Sequence, residues 1–263
     1  MSAAQRRFTI LAALAALALL VTATLHAAAA DGNAARPQPG TPEAILLDAA
    51  NHDRVAAGLH PMQWDKALAA SARAHAKVMA DHNELSHQFP GEPSLEQRAT
   101  KAGARFTVLA ENVAEGPTAA GLHTQWMNSP PHRANLMATD MSAIGIAVIQ
   151  SGNTFFAVED FSQPVPALSL AVQEFQVATL LSSQGLRPVT ATPEARKTCD
   201  LGRGWAGLKP ASVVRYESAD LSRLPGEIEQ KVHNGDYRKA EVGACDAVSE
   251  AGFTRFRIAI LLY

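Results

Sequence analysis

The stretch AIGIAVIQSGNTFFAVEDF, residues 143–161, contains two runs that are rich in β-branched and aromatic residues. The runs AIGIAVIQ and TFFAVEDF are separated by SGN at 151–153, three residues that favour a turn. We therefore predict a β-hairpin here. The residues before it have a helical period instead, so the sequence indicates a fold of mixed α and β structure.

Helical signals precede the hairpin. Thr41, Asp65 and Ser94 have the oxygen-bearing side chains that cap helix N-termini, and SLEQ at 94–97 is a capping-box pattern. Pro130 and Pro131 are expected to stop the last of these helices. The predicted helices cover residues 41–57, 66–81, 94–102 and 118–128.

The segment SQPVPALS, residues 162–169, is typical of a domain boundary. Beyond it we predict helices at about 170–184, 192–199 and 224–233, and strands at about 213–217, 240–245 and 253–262. The last strand contains FRIAILLY and is expected to be buried centrally, because an exposed edge so apolar would invite aggregation. This gives a first domain, residues 41–164, and a small α+β accessory domain, residues 165–263, whose role the sequence leaves open.

The N-terminus is predicted to be a signal peptide, residues 1–30, followed by a linker, residues 31–40. Arg6 and Arg7 precede an apolar run from Phe8 to about Leu20, and small residues follow it. The alternative is an uncleaved membrane anchor. No later segment approaches the roughly 20 apolar residues that cross a bilayer, so we expect an exported chain, periplasmic or extracellular, with no membrane span after cleavage.

Charge and cysteine content narrow the class of protein. Without Arg6 and Arg7 the chain has 21 basic and 25 acidic residues, a formal charge of −4, which does not favour nucleic acid as a partner. Cys199 and Cys245 are expected to form a disulfide in an oxidising compartment, the alternative being two buried thiols. Seven of the eight histidines after the signal peptide lie before residue 165, so any chemistry is expected in the first domain.

The segment DHNELSHQF, residues 81–89, is close to a zinc-protease signature but does not match it. That signature places two histidines four residues apart on one helix face, with a glutamate directly after the first. Here His82 and His87 are five apart, and Glu84 is displaced by one position. We therefore expect His87 to act with partners from elsewhere in the chain, and His82 and Glu84 to lie at the exposed end of a helix.

Five blocks occur in a fixed order along the first domain. They are NHDRVAAGLHPMQWDKAL (51–68), LSH (85–87), AENVAEG (110–116), WMNSPPHRANLM (126–137) and the hairpin IGIAV with FFAVEDF. Together they resemble the CAP superfamily of cysteine-rich secretory, antigen 5 and pathogenesis-related proteins, and within it the bacterial SCP-like extracellular proteins. The similarity covers roughly residues 43–162. It implies an α-β-α sandwich with a mostly antiparallel central sheet.

The resemblance also implies a surface cleft with two histidines and two acidic residues. On this chain three of those positions fall on His87, Glu111 and His132. The second acidic position falls on Ser129, so one carboxylate is missing. Ala110 replaces the usual glycine of the family motif. The disulfides and the cysteine-rich tail of eukaryotic members are absent, and their channel and allergen roles are not transferred.

Three hypotheses follow for the cleft. His87 and His132 could hold a divalent metal such as zinc, with Glu111 as third ligand or as an outer-shell partner; the alternative is a metal-free polar cluster. A metal-dependent hydrolase resembling a peptidase would need a general base, and Ser129 replaces one candidate for that role. We favour a secreted binding module over an enzyme, with a small apolar ligand or a cell-envelope component as the partner that the resemblance implies.

Several other polar and aromatic residues are given structural roles. Trp64 and Trp126 are expected in the core or the cleft wall, and Arg54 in a structural contact. Asn112 and Asn135 are expected to bond backbone in turns. His75 is expected to be partly buried. The residues expected at the surface are His52, His60 and His123.

Overall fold

A computed structural model describes residues 36–250 and 252–263. The predicted signal peptide and the first half of the predicted linker lie outside these residues. The described residues belong to one compact unit. Across them, no helix has the length and apolar character needed to cross a membrane.

The first half of the chain confirms the predicted helices. Their N-caps are Thr41, Asp65, Ser94 and Thr118, each of which accepts a backbone N–H, and Ser94 completes the predicted capping box with Gln97. The elements are α1 (Pro42–Ala56), β1 (Gln63–Trp64), α2 (Lys66–His82), α3 (Leu95–Lys101), β2 (Phe106–Gly116), α4 (Ala119–Asn128), α5 (Pro130–Leu136), β3 (Ala143–Ser151) and β4 (Thr154–Pro164).

The predicted hairpin is confirmed as β3 and β4. Ser151 pairs with Thr154, and Gly152 has a φ of +58° in the turn between them, a conformation that glycine adopts without strain. β4 also pairs antiparallel with β2 along ten residue pairs, from Phe106 to Gly116. We did not predict β2 as a strand. Its polar pair Glu111-Asn112 interrupts the apolar pattern in the middle of the strand.

Helices cover both faces of this sheet. On one face, Ala72, Ala76 and Met79 of α2 pack with Val113 and Phe156. On the other face, residues of α1 and α4 pack against alternate positions of the same strands; this cluster includes Leu46, Leu47, Trp126, Ala114, Ile144, Ile146 and Phe161. The α-β-α sandwich is therefore confirmed.

The second half continues the same sheet. Its elements are α6 (Leu170–Ser183), β5 (Arg187–Thr190), α7 (Pro193–Asp200), β6 (Ser212–Ser218), α8 (Gly226–Asn234), β7 (Lys239–Glu250) and β8 (Phe253–Leu262). The strand order is β1-β3-β4-β2-β8-β7-β5, and β6 also pairs with β8. The two halves of the sheet join where Phe106 of β2 pairs with Phe253 of β8.

The C-terminal strand is central, as expected. β8 pairs with β7 on one side and with β6 on the other, and Phe256 to Leu262 are buried except for the half-buried Arg257. Cys199 and Cys245 form the predicted disulfide beside this strand. The predicted boundary at 164/165 falls where β4 ends; independent folding of residues 165–263 stays a prediction.

Candidate functional site

His87 lies in the loop between α2 and α3. Asn83 ends α2 in the left-handed conformation, with a φ of 51°, and the chain then turns back across the sheet. The His87 side chain is 56% exposed, and its Nδ1 lies 3.0 Å from Oε1 of Glu111. This hydrogen bond raises the pKa of His87, more than its partial burial lowers it.

Both carboxylate oxygens of Glu111 have a hydrogen-bond partner. It lies in β2, its side chain is buried, and its second carboxylate oxygen accepts a hydrogen bond from the buried guanidinium of Arg98 in α3. Arg98 also donates to the carbonyl of Pro93 at 3.0 Å. One carboxylate therefore connects a buried cation to an exposed imidazole, and both of its oxygens are engaged.

A second ion pair lies behind Arg98. Glu92 is 3.6 Å from Nη1 of Arg98 and 2.7 Å from Nδ1 of His75. The other ring nitrogen of His75 lies 2.8 Å from the carbonyl of Ser86. His75 is fully buried. The prediction of partial burial was wrong because Glu92 and Ser86 satisfy both ring nitrogens and allow the ring to leave water.

His132 belongs to α5, and its ring lies near that of His87. The prediction that Pro130 and Pro131 stop a helix is confirmed, because α4 ends at Asn128. We did not predict α5, which the two prolines begin at once by occupying its first positions. Proline suits that place because its missing N–H would have no intrahelical partner there. Ser129 is the single residue between the two helices, and its side chain makes no capping hydrogen bond.

The rings of His87 and His132 have centroids 6.3 Å apart. The pKa of His132 is lowered, first by partial burial and then by the charge of His87. Among the residues described, no group of three or more His, Cys, Asp or Glu side chains is arranged to hold a metal ion. The structure thus brings the two histidines together as a pair, with Glu111 bonded to one of them.

Asn112 and Asn135 connect β2 to α5. Nδ2 of Asn112 donates to the carbonyl of His132 at 3.1 Å, and Nδ2 of Asn135 donates to Oδ1 of Asn112 at 3.0 Å. Nδ2 of Asn135 also donates to the carbonyl of Glu111 at 3.4 Å. The predicted bonding of both asparagines to backbone is confirmed, but the prediction that they lie in turns was wrong, because Asn112 belongs to β2 and Asn135 to α5.

Two buried acids that we did not predict lie in β4, opposite Glu111 and Asn112. Asp160 pairs with Glu111 in the β2–β4 register, and Glu159 pairs with Asn112. Neither carboxyl group makes a hydrogen bond within the usual distance and angle. Burial raises the pKa of Glu159 to about 8, and burial together with the Glu111 charge raises the pKa of Asp160 well above its usual range. The only signal was the polar ED pair inside an apolar strand.

Structural roles are predicted for Arg54, Trp64 and Trp126. Arg54 is buried and donates to the carbonyls of His60, Leu136, Ala138 and Met141, a structural role as predicted. Trp126 is buried, and its indole donates to the carbonyl of Val113 at 3.0 Å; Trp64 is half-buried.

Of the three histidines predicted at the surface, two are exposed and one is buried. His52 and His60 are exposed, as predicted, and so are His82 and Glu84 at the end of α2. His123 is buried and lies 3.0 Å from a carboxylate oxygen of Asp53. The prediction of a surface position was wrong for His123 because α4 packs against α1, which carries Asp53.

Among the cavities of the described residues are two that are lined by neither His87 nor His132. A groove of about 550 Å³ is bounded by α6, the end of β4 and residues 219–222. A second cavity, of about 360 Å³, lies between α2 and α3 and is lined in part by Glu92 and Arg98. Through those two side chains it adjoins the ion pairs behind Glu111.

Residues 47–161 match the family model described as CAP, the cysteine-rich secretory protein family. These residues form a CAP domain. They contain His87, Glu111, Ser129 and His132, the positions to which the sequence resemblance assigned the cleft.

Two curated relatives come from Bacillus subtilis. The uncharacterized protein YkwD is 31% identical over an alignment of 147 residues, and the match covers 49% of this chain and 57% of the relative. The uncharacterized membrane protein YlbC is 33% identical over 112 residues, 41% of this chain and 32% of the relative. The chain therefore spans just over half of one relative and about a third of the other.

Two of the similar solved structures come from bacteria. An extracellular protein containing a SCP domain from Bacillus anthracis is 26% identical, with a TM-score of 0.42, and covers 48% of this chain and 45% of its own. An outer surface protein from Borrelia burgdorferi is 23% identical, with a TM-score of 0.45, and covers 49% of this chain and 98% of its own.

Proposed function

We propose that the protein is an exported binding module whose CAP cleft holds a divalent cation through His87 and His132. The observation that carries the proposal is the contact between Nδ1 of His87 and Glu111. A metal-binding histidine commonly donates its other ring N–H to a carboxylate, which fixes the tautomer and makes the ring a better ligand. Nε2 of His87 is then the nitrogen available for a cation.

The residues present fit such an ion as two nitrogen ligands. Neutral imidazoles suit zinc, and water can complete the coordination. We assign Glu111 the role of an outer partner because both of its oxygens are engaged, by His87 and by Arg98. His87 is exposed, so its ring is free to adjust toward His132, whose ring centroid is 6.3 Å away.

Hydrolysis is not part of the proposal. A metal-dependent hydrolase needs a general base within hydrogen-bond reach of the attacking water. Glu111 is held by two partners, and in the described residues no hydrogen bond connects the hydroxyl of Ser129 to His132. The geometry therefore favours binding over the peptidase-like alternative.

Calorimetric titration of the tag-free protein with zinc tests the proposal. We expect one ion per chain, and loss of binding in His87→Ala and in His132→Ala. His52→Ala is the matched control, because His52 is exposed on α1 and away from the cleft. Absence of binding in the parent protein, or binding that survives both cleft substitutions, would refute the metal site.

A small apolar ligand is a second candidate, favoured by the cavity between α2 and α3. Its volume of about 360 Å³ lies within the range of small-molecule sites, and Ala70, Ala74 and Val78 supply apolar walls. Titration of the protein with a spin-labelled fatty acid, followed by NMR, tests it. Line broadening at Ala70 and Val78 that is reduced by Ala74→Phe supports this cavity; broadening confined to other surfaces rejects it.

Export is supported by the disulfide between Cys199 and Cys245, because such bonds persist mainly outside the reducing cytosol. Fractionation of expressing cells with thiol labelling before and after reduction tests it. We expect an exported protein whose two cysteines are labelled only after reduction. Cytosolic protein with free thiols would overturn this part of the proposal.

A further inference from the structure

The two cleft histidines are contacted from opposite faces of β2. Glu111 and Asn112 are consecutive in the strand, so their side chains point to opposite faces of the sheet. Glu111 lies on the face covered by α2 and α3 and contacts the His87 ring. Asn112 lies on the other face and contacts His132 in α5.

Asn112 is fully buried and bonded at both ends of its amide. It donates to the carbonyl of His132 and accepts from Asn135, three residues further along α5. Both bonds therefore attach the same face of a short helix to β2. The His132 carbonyl lies in the first turn of α5. Holding this carbonyl in place therefore also fixes the position of the His132 Cα, from which the imidazole side chain extends.

Glu159 closes the space behind Asn112. It lies directly opposite Asn112 in the antiparallel register, and its side chain is fully buried on the same face. Its carboxyl group lies near the Asn112 amide, although no bond between them meets the usual geometry. The Asn112 amide is thus confined between β4 on one side and α5 on the other.

We propose that Asn112 is the positioning residue of His132, and that the two histidines have independent supports, Glu111 for His87 and Asn112 for His132. The proposal goes beyond metal binding, because it concerns how the two histidine rings are held whether or not an ion is bound. It predicts that one histidine can be displaced while the other stays in place.

Two-dimensional NMR of the histidine ring C–H and N–H signals in the metal-free protein tests this. Asn112→Leu keeps a similar volume but removes the amide; we expect the ring signals of His132 to shift or broaden and those of His87 to stay. Glu111→Gln should do the reverse. With zinc as an added probe, Asn112→Leu should weaken binding about tenfold or more, the usual cost of losing an outer-shell contact.

Asn51→Leu is the matched control, because the Asn51 amide is also hydrogen-bonded at both ends, in its case to the backbone N–H and carbonyl of Met62. It should lower the unfolding midpoint without moving either ring. If Asn112→Leu does not fold, Asn135→Ala takes its place, since Asn135 is half-buried and its removal breaks one of the same bonds. Unchanged His132 signals in the folded variant, or equal shifts of both histidines, would overturn the proposal.

Discussion

Glu159 of β4 lies directly opposite Asn112 of β2, and both side chains are fully buried. The Glu159 carboxyl has no hydrogen bond of normal geometry and no cationic partner among the described residues. Burying an acid in this way costs folding free energy unless the acid is neutral. Burial therefore favours the protonated form of this carboxyl group inside the sheet.

This arrangement predicts a pH-dependent stability. The pKa of Glu159 is raised from 4.5 to about 8, so between these values the native state binds a proton that the unfolded state has lost. Stability then falls by roughly 1.4 kcal/mol for each pH unit of rise in this window, and the contribution is fully present only below it. Urea unfolding at several pH values measures the slope.

Glu159→Gln should remove that slope and make the protein more stable at pH 8. The expected gain is on the order of 5 kcal/mol, less any cost of fitting the amide. Glu115→Gln, at an exposed position of the neighbouring strand, serves as the control and should leave the slope unchanged. Equal slopes in the parent and in Glu159→Gln would show that Glu159 is not the titrating group.

Zinc affinity should rise with pH. The pKa of His87 is raised by Glu111, and a protonated imidazole cannot bind a metal, so protons compete with zinc until the pH passes the His87 pKa. Calorimetry from about pH 5.5 to 8 should show affinity increasing and protons being released on binding. An affinity independent of pH over this range would remove His87 from the ligand set.

The raised pKa of His87 also links protonation to folding. Protonated His87 stabilises the native state below the unfolded pKa of 6.5, and this contribution is lost as pH rises through the native pKa. Because the side chain is largely exposed, solvent screens the effect and it should be small. NMR titration should find the His87 pKa lower in Glu111→Gln than in the parent.

Arg54→Met should destabilise the protein by about 3 kcal/mol or more, since it leaves buried carbonyl groups without their donor. Arg54 donates to four carbonyls and ties α1 to the segment after α5. Arg73→Met removes an exposed ion pair with Glu43 and should cost at most about 1 kcal/mol. Similar unfolding midpoints for the two variants would contradict this role of Arg54.

Gly145→Ala should also destabilise the fold. A Cβ at this position would collide with backbone atoms of Leu68 and Ala69, where α2 crosses β3. Overpacking of this kind typically costs about 1–3 kcal/mol. Gly226→Ala, at an open position at the start of α8, is the control and should fold normally. Thermal unfolding compares them, and an unaffected Gly145→Ala would mean that α2 can move away from the sheet.

Reduction of the disulfide should lower stability while leaving the cleft unchanged. Cys199 and Cys245 are 46 residues apart, and closing a loop of that length is worth about 4 kcal/mol in the chain-entropy model. Cys199→Ser with Cys245→Ser should therefore lower the urea midpoint. The ring NMR signals of His87 and His132 in this variant should match those of the parent. A shift of both signals would show that the C-terminal half determines the positions of the two rings.

The sequence by itself determined those elements whose stabilising contacts are made between residues close in the chain. Thr41, Asp65 and Ser94 cap their helices through contacts within a few residues, and the hairpin follows from alternation around Gly152. The order of the five blocks was also enough to place His87, Glu111 and His132 in one domain.

Tertiary structure decided what depends on residues far apart in sequence. β2 carries a polar pair that no strand pattern predicts, and it becomes a strand because β4 pairs with it along its whole length. His75 and His123 are buried because Glu92 and Asp53 reach them from other elements. The contacts that hold the two histidines also depend on tertiary structure. Glu111 and Asn112 are adjacent in the chain, but their side chains lie on opposite faces of β2 because side chains alternate along a strand. Their partners on these two faces belong to α3 and α5.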